Sequence, residues 1–260
     1  MRAFKFISTI AAALLVAQAS IAENQAVITA NGQRLSVIVD FPAGEGKFPA
    51  LVLAPGQGYH MGLPAMEATA RSLTEQGIAV FRFNWAYFTT EPKGQPSEDL
   101  STELQDLQAV LMAARKHPRV EPKNVSVGGK SLGSLVAWRA LAADSQLRSA
   151  LLLTPVCSRV PKGETLPRSE AQLNYPGFDA ERRPTLWISG DKDPLCAISV
   201  LYGFIGARAE TARVAVVGGD HSYENRALPA AAAETARRRN LAAVSVQSAS
   251  FVAEVSSTPP

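Results

Sequence analysis

The sequence predicts an α/β protein in which helices cover both faces of one mostly parallel sheet. Short apolar runs alternate with helical stretches along the chain, which is typical of such sheets. Residues 26–29 and 35–40 flank Asn31-Gly32, a strong hairpin signal, so the sheet is expected to begin antiparallel. No break in composition divides the chain, and residues 23–260 are therefore expected to form one domain.

The first 22 residues are typical of a secretory signal peptide. Arg2 and Lys5 precede an apolar stretch at residues 6–17, and Ser20 and Ala22 supply the small side chains typical of a cleavage site. The apolar stretch has about 12 residues, against the about 20 that span a bilayer. We therefore expect a periplasmic or secreted protein without stable membrane insertion; the alternatives are an uncleaved anchor or a flexible N-terminus.

Eight strands are expected. Beyond the hairpin, apolar runs predict strands at residues 50–54, 79–83, 125–128, 150–154, 185–189 and 212–217. Helices are predicted at residues 63–76, 99–116, 132–143, 198–207 and 229–246. Residues 85–97 are expected to form a loop, residues 157–183 a small cap or one short helix, and residues 256–260 a frayed end. A cap this short predicts no large lid.

Charge gives little reason to expect a nucleic-acid partner. The formal net charge is +3, and two of the positive charges lie in the leader, which leaves about +1 for the expected mature chain. Arg237, Arg238 and Arg239 are consecutive on a predicted helix and point in different directions, which indicates a solvated face. The chain is 47% hydrophobic, enough to build an ordinary core.

A serine nucleophile is predicted at Ser131. The run Gly129-Lys130-Ser131-Leu132-Gly133 fits G-x-S-x-G, follows a predicted strand and opens a predicted helix. Glycines allow the tight turn that exposes the hydroxyl, and the helix N-terminus favours developing negative charge. The alternative is a Gly-rich turn with a capping serine.

The best candidate for the base is His221, one of three histidines. It follows the last predicted strand. His60 and His117 precede Ser131 in the sequence, whereas the base comes after the nucleophile in folds with this strand–serine–helix turn. His117 is expected to be a surface or helix-capping residue. His60 is expected to be structural, although its loop could face the pocket.

The acid that orients the base is expected from Gly190-Asp191-Lys192-Asp193-Pro194, which follows another predicted strand. Asp193 is preferred, because it lies farther past the strand, where the loop can turn back toward His221. Asp191 is then a turn residue whose carboxylate accepts hydrogen bonds from nearby backbone N–H groups.

Two backbone N–H groups are needed to bind an oxyanion. The Leu132 N–H, after the nucleophile, should supply one, and the Gln57 N–H in the loop Pro55-Gly56-Gln57-Gly58-Tyr59 should supply the other, unless that loop is a plain turn. Four aromatic residues on loops at the same edge of the sheet are candidates for substrate contact, with core packing as the alternative: Tyr59, Trp85, Tyr87 and Phe88.

These motifs resemble a known family. The order Ser131, Asp193, His221 is that of the α/β-hydrolases, and residues 81–87, 128–133, 190–194 and 219–222 are similar to a dienelactone-hydrolase-like branch. Within that branch they look like the hydrolase-like domain of testis-expressed and NSL-complex proteins and their bacterial relatives. The resemblance covers about residues 35–225 and implies an α/β-hydrolase fold with these three residues as the triad.

The resemblance has two departures. True dienelactone hydrolases use a cysteine nucleophile, so their substrate is not expected for a chain with Ser131. Many relatives carry His-Gly where this chain has Pro55-Gly56, which weakens the assignment of the oxyanion loop.

The two cysteines, Cys157 and Cys196, follow two predicted strands that are parallel neighbours in this fold. Both should therefore emerge at the same edge of the sheet, and we expect them to form a disulfide in an exported protein. The alternative is a pair of buried free thiols.

The sequence thus predicts a serine hydrolase that cleaves small or soluble carboxylic esters through an acyl-enzyme. The alternatives are a peptidase or amidase, a thioesterase, or a non-catalytic binding module. No cofactor and no metal are implied, because no His/Cys cluster has ligand spacing and no loop matches a phosphate-binding motif.

Overall fold

The computed structural model describes residues 21–90, 94–208 and 210–258. The predicted signal peptide therefore lies outside the described residues except for Ile21 and Ala22, which belong to the first strand.

A sheet of eight strands forms the centre of the described protein. The described residues contain these ten strands, eight of which belong to that sheet: β1 (Ile21–Ile28), β2 (Arg34–Phe41), β3 (Phe48–Ala54), β4 (Ala79–Phe83), β5 (Val120–Lys130), β6 (Ala150–Leu153), β7 (Ser158–Arg159), β8 (Arg168–Ser169), β9 (Thr185–Gly190) and β10 (Ala212–Val217). The large sheet has the order β1-β2-β4-β3-β5-β6-β9-β10, and β7 pairs with β8 separately. Strand β2 is antiparallel to β1 and to β4, and all other neighbours in the large sheet are parallel. The predicted mostly parallel, eight-stranded sheet is confirmed.

Helices cover both faces, as predicted. They are α1 (Pro64–Glu75), α2 (Ala86–Thr90), α3 (Ser101–Lys116), α4 (Leu132–Ala143), α5 (Ala171–Asn174), α6 (Ile198–Ile205) and α7 (Ala230–Ser257), with 3-10 turns at Phe178–Ala180 and Gly206–Arg208. Alternate residues of a strand point to opposite faces. Leu51 and Leu53 of β3 accordingly pack with α1 and α7, whereas Val52 packs with α3 and α4.

Helix α7 is longer than predicted. It continues to Ser257, so the first two residues of the segment expected to fray, 256 and 257, are helical. The extension is stabilised by the burial of Phe251, Val252 and Val255 against the sheet. The predicted end near residue 246 was wrong because these apolar side chains, rather than local sequence, decide where the helix stops.

A short helix also replaces part of the predicted loop at residues 85–97. Helix α2 begins at Ala86, whose N–H donates to Asp106 Oδ2 on α3 over 2.8 Å. Asp106 is 1% exposed, and a residue 20 positions away supplies this contact, so local sequence could not reveal it.

The segment between β6 and β9 forms a compact cover and not a large lid, as expected. It contains the strand pair β7–β8, the single turn α5 and a 3-10 turn. Tyr175 and Phe178 anchor it in the core, and the Trp138 Nε1–H of α4 donates to Pro176 O over 2.9 Å.

The predicted disulfide between Cys157 and Cys196 is present, with the two Cα atoms 4.6 Å apart. Hydrogen bonds run beside it, from the Cys157 N–H to Leu195 O and from the Cys196 N–H to Asp193 O. The bridge therefore ties the segment after β6 to the loop after β9.

Replacing both cysteines by serine should lower the free energy of unfolding. The bridge closes a loop of 39 residues, and chain entropy makes such a closure worth up to about 4 kcal/mol. Urea unfolding of the oxidised wild type and the double variant measures the difference. Thiol titration of the denatured, unreduced wild type should find no free thiol; two free thiols per chain would show that the bridge does not form.

Asp106 should make stability depend on pH. Burial raises its pKa to about 6, above the about 3.9 of an unfolded chain. The native state therefore binds the carboxyl proton of Asp106 more tightly than the unfolded state does. This adds on the order of 3 kcal/mol to the free energy of unfolding below about pH 4, and the contribution is lost as the pH rises from about 4 to about 6.

Urea unfolding across this pH range tests the expectation. Asp106→Asn should gain stability relative to wild type as the pH rises, whereas the exposed control Glu75→Gln should follow wild type. Equal pH slopes for Asp106→Asn and wild type would contradict it.

Candidate active site

Ser131 lies at the sharp turn between β5 and α4. Its backbone has φ 55° and ψ −119°, a left-handed region that non-glycine residues rarely adopt. The Ser131 N–H donates to Leu153 O of the neighbouring strand β6 over 2.9 Å, which holds the turn against the sheet. Such a turn raises the side chain above the carboxyl edge of the sheet, as the sequence predicted.

Two glycines make the turn sterically possible. A Cβ at Gly129 would overlap the Gly133 carbonyl, and a Cβ at Gly133 would lie 2.5 Å from Ala54 O. Both contacts are with backbone atoms, which cannot swing aside as a side chain can. The glycines of the motif are therefore required by close backbone packing.

The structure brings the three predicted triad residues together. His221 Nε2 lies 2.7 Å from Ser131 Oγ, and His221 Nδ1 lies 2.8 Å from Asp193 Oδ2. In the tautomer with the proton on Nδ1, the Nδ1–H group donates a hydrogen bond to the carboxylate. Nε2 is then free to accept a hydrogen bond from the serine hydroxyl. The Asp193 side chain is fully buried and that of His221 is 22% exposed, so only the imidazole side of the pair meets solvent.

The two aspartates of the acid loop have different contacts. Asp193 contacts His221 and also accepts the Leu195 N–H over 2.9 Å. Asp191 accepts the Gly219 N–H over 2.7 Å and is exposed. The contacts agree with the sequence-based expectation that Asp193 faces His221 and that Asp191 accepts a backbone N–H. The bond from Gly219 to Asp191 also joins the loop after β10 to the loop after β9.

The other histidines make contacts elsewhere. His117 ends α3, its Nδ1 accepts the Arg119 N–H, and its Nε2 lies 3.8 Å from Glu23. Burial lowers the pKa of His117. His60 is exposed, and its Nδ1 accepts the Gly62 N–H over 3.1 Å.

The predicted oxyanion loop runs beside the nucleophile. A Cβ built at Gly56 would lie 3.3 Å from Ser131 Cβ, so the loop backbone passes close to the serine. Within the described residues, the N–H groups of Gln57 and Leu132 have no hydrogen-bond acceptor. Both N–H groups are therefore available to a ligand at Ser131.

Trp85 does not line the pocket, contrary to the sequence-based expectation. It is 0% exposed, its ring packs edge-on against Phe83 at 4.8 Å, and its Nε1–H donates to Pro55 O over 3.0 Å. The expectation was wrong because the chain turns inward after β4. Trp85 instead supports the loop that carries Gln57.

Tyr59, Tyr87 and Phe88 are half-buried, as side chains beside an open site would be. Burial raises the pKa of Tyr87 to about 12, so its hydroxyl stays protonated at neutral pH. Tyr87 and Phe88 lie on α2, the helix that Asp106 anchors.

Sequence reasoning missed Lys130 as part of the site. Lys130 is 3% exposed, and its Nζ donates to His221 O over 2.9 Å. The available signal was a lysine that follows a run of apolar and small residues, 125–129, and stands immediately before the serine.

Among the described residues, no group of three His, Cys, Asp or Glu side chains is placed to hold a metal ion. The described helices also include none that is long and apolar enough to cross a membrane.

A model of the alpha/beta hydrolase domain matches residues 47–253 of this chain. The chain belongs to the α/β-hydrolase family. The match includes the turn at Ser131 and the loops that carry Asp193 and His221. The narrower resemblance to testis-expressed and NSL-complex proteins stays a prediction.

Solved structures share the fold at low sequence identity. A serine hydrolase without a lid from Xanthomonas campestris is 20% identical with a TM-score of 0.63, over 92% of this chain and 97% of that one. An esterase from Pyrococcus furiosus is 17% identical with a TM-score of 0.59, over 85% of this chain and 91% of that one.

A curated relative, the quorum-quenching protein AidA of Acinetobacter baumannii, is 28% identical over 129 residues. The match covers 48% of this chain and 41% of the relative, so it spans less than half the length of either protein.

The geometry predicts that the reactivity of Ser131 depends on Asp193 much more than on Asp191. Asp193→Asn favours the wrong imidazole tautomer and should slow labelling by a fluorophosphonate by about three to four orders of magnitude. Asp191→Asn should change the rate far less. The reverse ranking would show that the wrong carboxylate has been paired with His221.

Proposed function

We propose that the protein hydrolyses carboxylic esters through an acyl-enzyme formed on Ser131. The observation that carries this proposal is the unbroken hydrogen-bonded chain from Ser131 Oγ through the His221 imidazole to the buried Asp193 carboxylate. A serine hydroxyl is a weak nucleophile until a base accepts its proton. His221 can act as that base, and Asp193 orients it.

In the acylation step, Ser131 Oγ attacks the ester carbonyl carbon while its proton passes to His221 Nε2. The carbonyl oxygen becomes an oxyanion, and the imidazole becomes a cation that the Asp193 carboxylate stabilises. The protonated imidazole then gives its proton to the alkoxide leaving group, which departs as the alcohol. Water, activated by the same imidazole, attacks the acyl-enzyme and releases the carboxylic acid and free Ser131.

The N–H groups of Leu132 and Gln57 would receive the oxyanion. Both lack an acceptor within the described residues, and both lie on backbone adjacent to Ser131. The Leu132 N–H also begins the 12-residue helix α4, whose N-terminus favours negative charge. Negative charge that develops at this point is therefore stabilised more than the neutral carbonyl from which it forms.

Small or soluble acyl groups suit the site best. The segment between β6 and β9 builds only a short cover, and the half-buried Tyr59, Tyr87 and Phe88 offer limited apolar contact. A long acyl chain needs more apolar wall than three half-buried rings supply. We therefore place soluble esters ahead of long-chain lipids.

Amides, peptides and thioesters would use the same triad and remain alternative substrates. A binding module without catalysis is the alternative outside enzymes. The complete triad and the two unoccupied N–H groups favour an enzyme, since binding alone needs neither a base nor an oriented acid.

The disulfide supports an oxidising location. Bridges persist in the periplasm and outside the cell and are rare in the cytosol. The Cys157–Cys196 bridge therefore favours the periplasmic or secreted location that the leader predicts.

A series of nitrophenyl esters of increasing acyl length, measured beside peptide and thioester substrates, tests the function. Short esters should be cleaved fastest, and Ser131→Ala should lose on the order of a million-fold in turnover while keeping its circular dichroism spectrum. Ester hydrolysis by Ser131→Ala at the wild-type rate, or peptides cleaved in preference to esters, would contradict the proposal.

A further inference from the structure

Lys130, the residue before the nucleophile, is a buried cation whose N–H groups all face a partner. Lys130 Nζ donates to His221 O over 2.9 Å and to Thr154 Oγ1 over 3.2 Å. It also lies 4.8 Å from the centroid of the Tyr59 ring, a cation–π distance. An ammonium has three N–H donors, so two hydrogen bonds and one aromatic face engage the whole group.

Holding a charge at 3% exposure is costly unless it is well paired, so the position requires an explanation. Burial lowers the pKa of Lys130 to about 8, and the carboxylates of Asp193 and Asp220 oppose that shift. The Lys130 amine is therefore mostly protonated at neutral pH. The charged and titratable groups around it come from three loops: Tyr59 after β3, Asp193 after β9, and Asp220, His221 and Tyr223 after β10.

The bond to His221 O holds the backbone of the base itself. Within the described residues, no backbone N–H donates to this carbonyl, so Lys130 is its hydrogen-bond donor. The loop around it has positive φ angles at Gly219 and Tyr223 and turns tightly. A side-chain bond at the centre of such a turn determines where the imidazole sits relative to Ser131, the next residue after Lys130.

We propose that Lys130 is a positioning residue that acts through His221. Its ammonium holds the His221 backbone so that Nε2 reaches Ser131. The proposal rests on the proposed hydrolase function, because it concerns the base of that reaction. Lys130 would not touch the substrate, since its three donors are already engaged inside the protein.

The test is the steady-state kinetics of ester hydrolysis by Lys130→Met, a variant that keeps an unbranched apolar stem without the ammonium group. A slightly misplaced base costs about ten- to a hundredfold in kcat. Because Lys130 does not touch the substrate, KM should change little.

Two further variants separate the roles of Lys130 and keep the test valid if Lys130→Met does not fold. Lys130→Gln keeps an N–H donor without the charge, so it should lose less kcat than Lys130→Met. Lys130→Arg keeps both the charge and N–H donors, so it should retain the most kcat of the three variants. Lys123→Met removes an exposed lysine from the same strand β5 and is the matched control, with wild-type kcat expected.

A folded Lys130→Met with wild-type kcat would overturn the proposal. So would an equal loss of kcat in all three Lys130 variants, because a side chain that donates to His221 O should restore part of the activity. If wild type itself cleaves no ester, both the proposed function and this inference fail. If wild type is active and the Lys130 variants match it, this inference alone fails.

Discussion

The close approach of backbone to backbone around the turn between β5 and α4 is the contact on which the site depends. Gly129 meets the Gly133 carbonyl, and Gly133 meets the Ala54 carbonyl at the end of β3. This packing leaves Ser131 as the residue that projects from the turn. It also brings the loop after β3 next to the serine, and the Gln57 N–H of that loop has no acceptor within the part of the chain that the structure describes. The nucleophile and the candidate oxyanion donors are therefore consequences of one steric constraint.

The remaining groups reach Ser131 because parallel strands end at the same edge of the sheet. Strand β9 leads to Asp193 and β10 leads to His221, and the loops after them are cross-linked by the bond from the Gly219 N–H to Asp191. The disulfide ties the loop after β9 to the segment after β6, and Lys130 donates a hydrogen bond to the loop after β10 at His221 O. Ordering each of these loops loses conformational entropy. Because these contacts form when the protein folds, the loss is incurred on folding and not on substrate binding.

Sequence predicts the parts of this site that follow from strand ends and local turns. Ser131, Asp193 and His221 each follow an apolar strand, and the glycine spacing around Ser131 is a local steric signature. What sequence missed depends on contacts between distant residues. Trp85 turns inward because Pro55 O accepts its Nε1–H, helix α2 begins where Asp106 lies, and α7 continues past residue 246 because the sheet buries its last apolar side chains. Long-range packing decides all three, and no periodicity in one segment records it.

In the proposed reaction, Ser131 becomes covalently acylated during turnover. Mass spectrometry of protein quenched in acid during hydrolysis of a short nitrophenyl ester detects this intermediate. We expect an acyl group on the peptide that contains Ser131, formed before the steady state and lost when the substrate is exhausted. Steady turnover of the ester with no acyl group on Ser131, or with the acyl group on another residue, would contradict it.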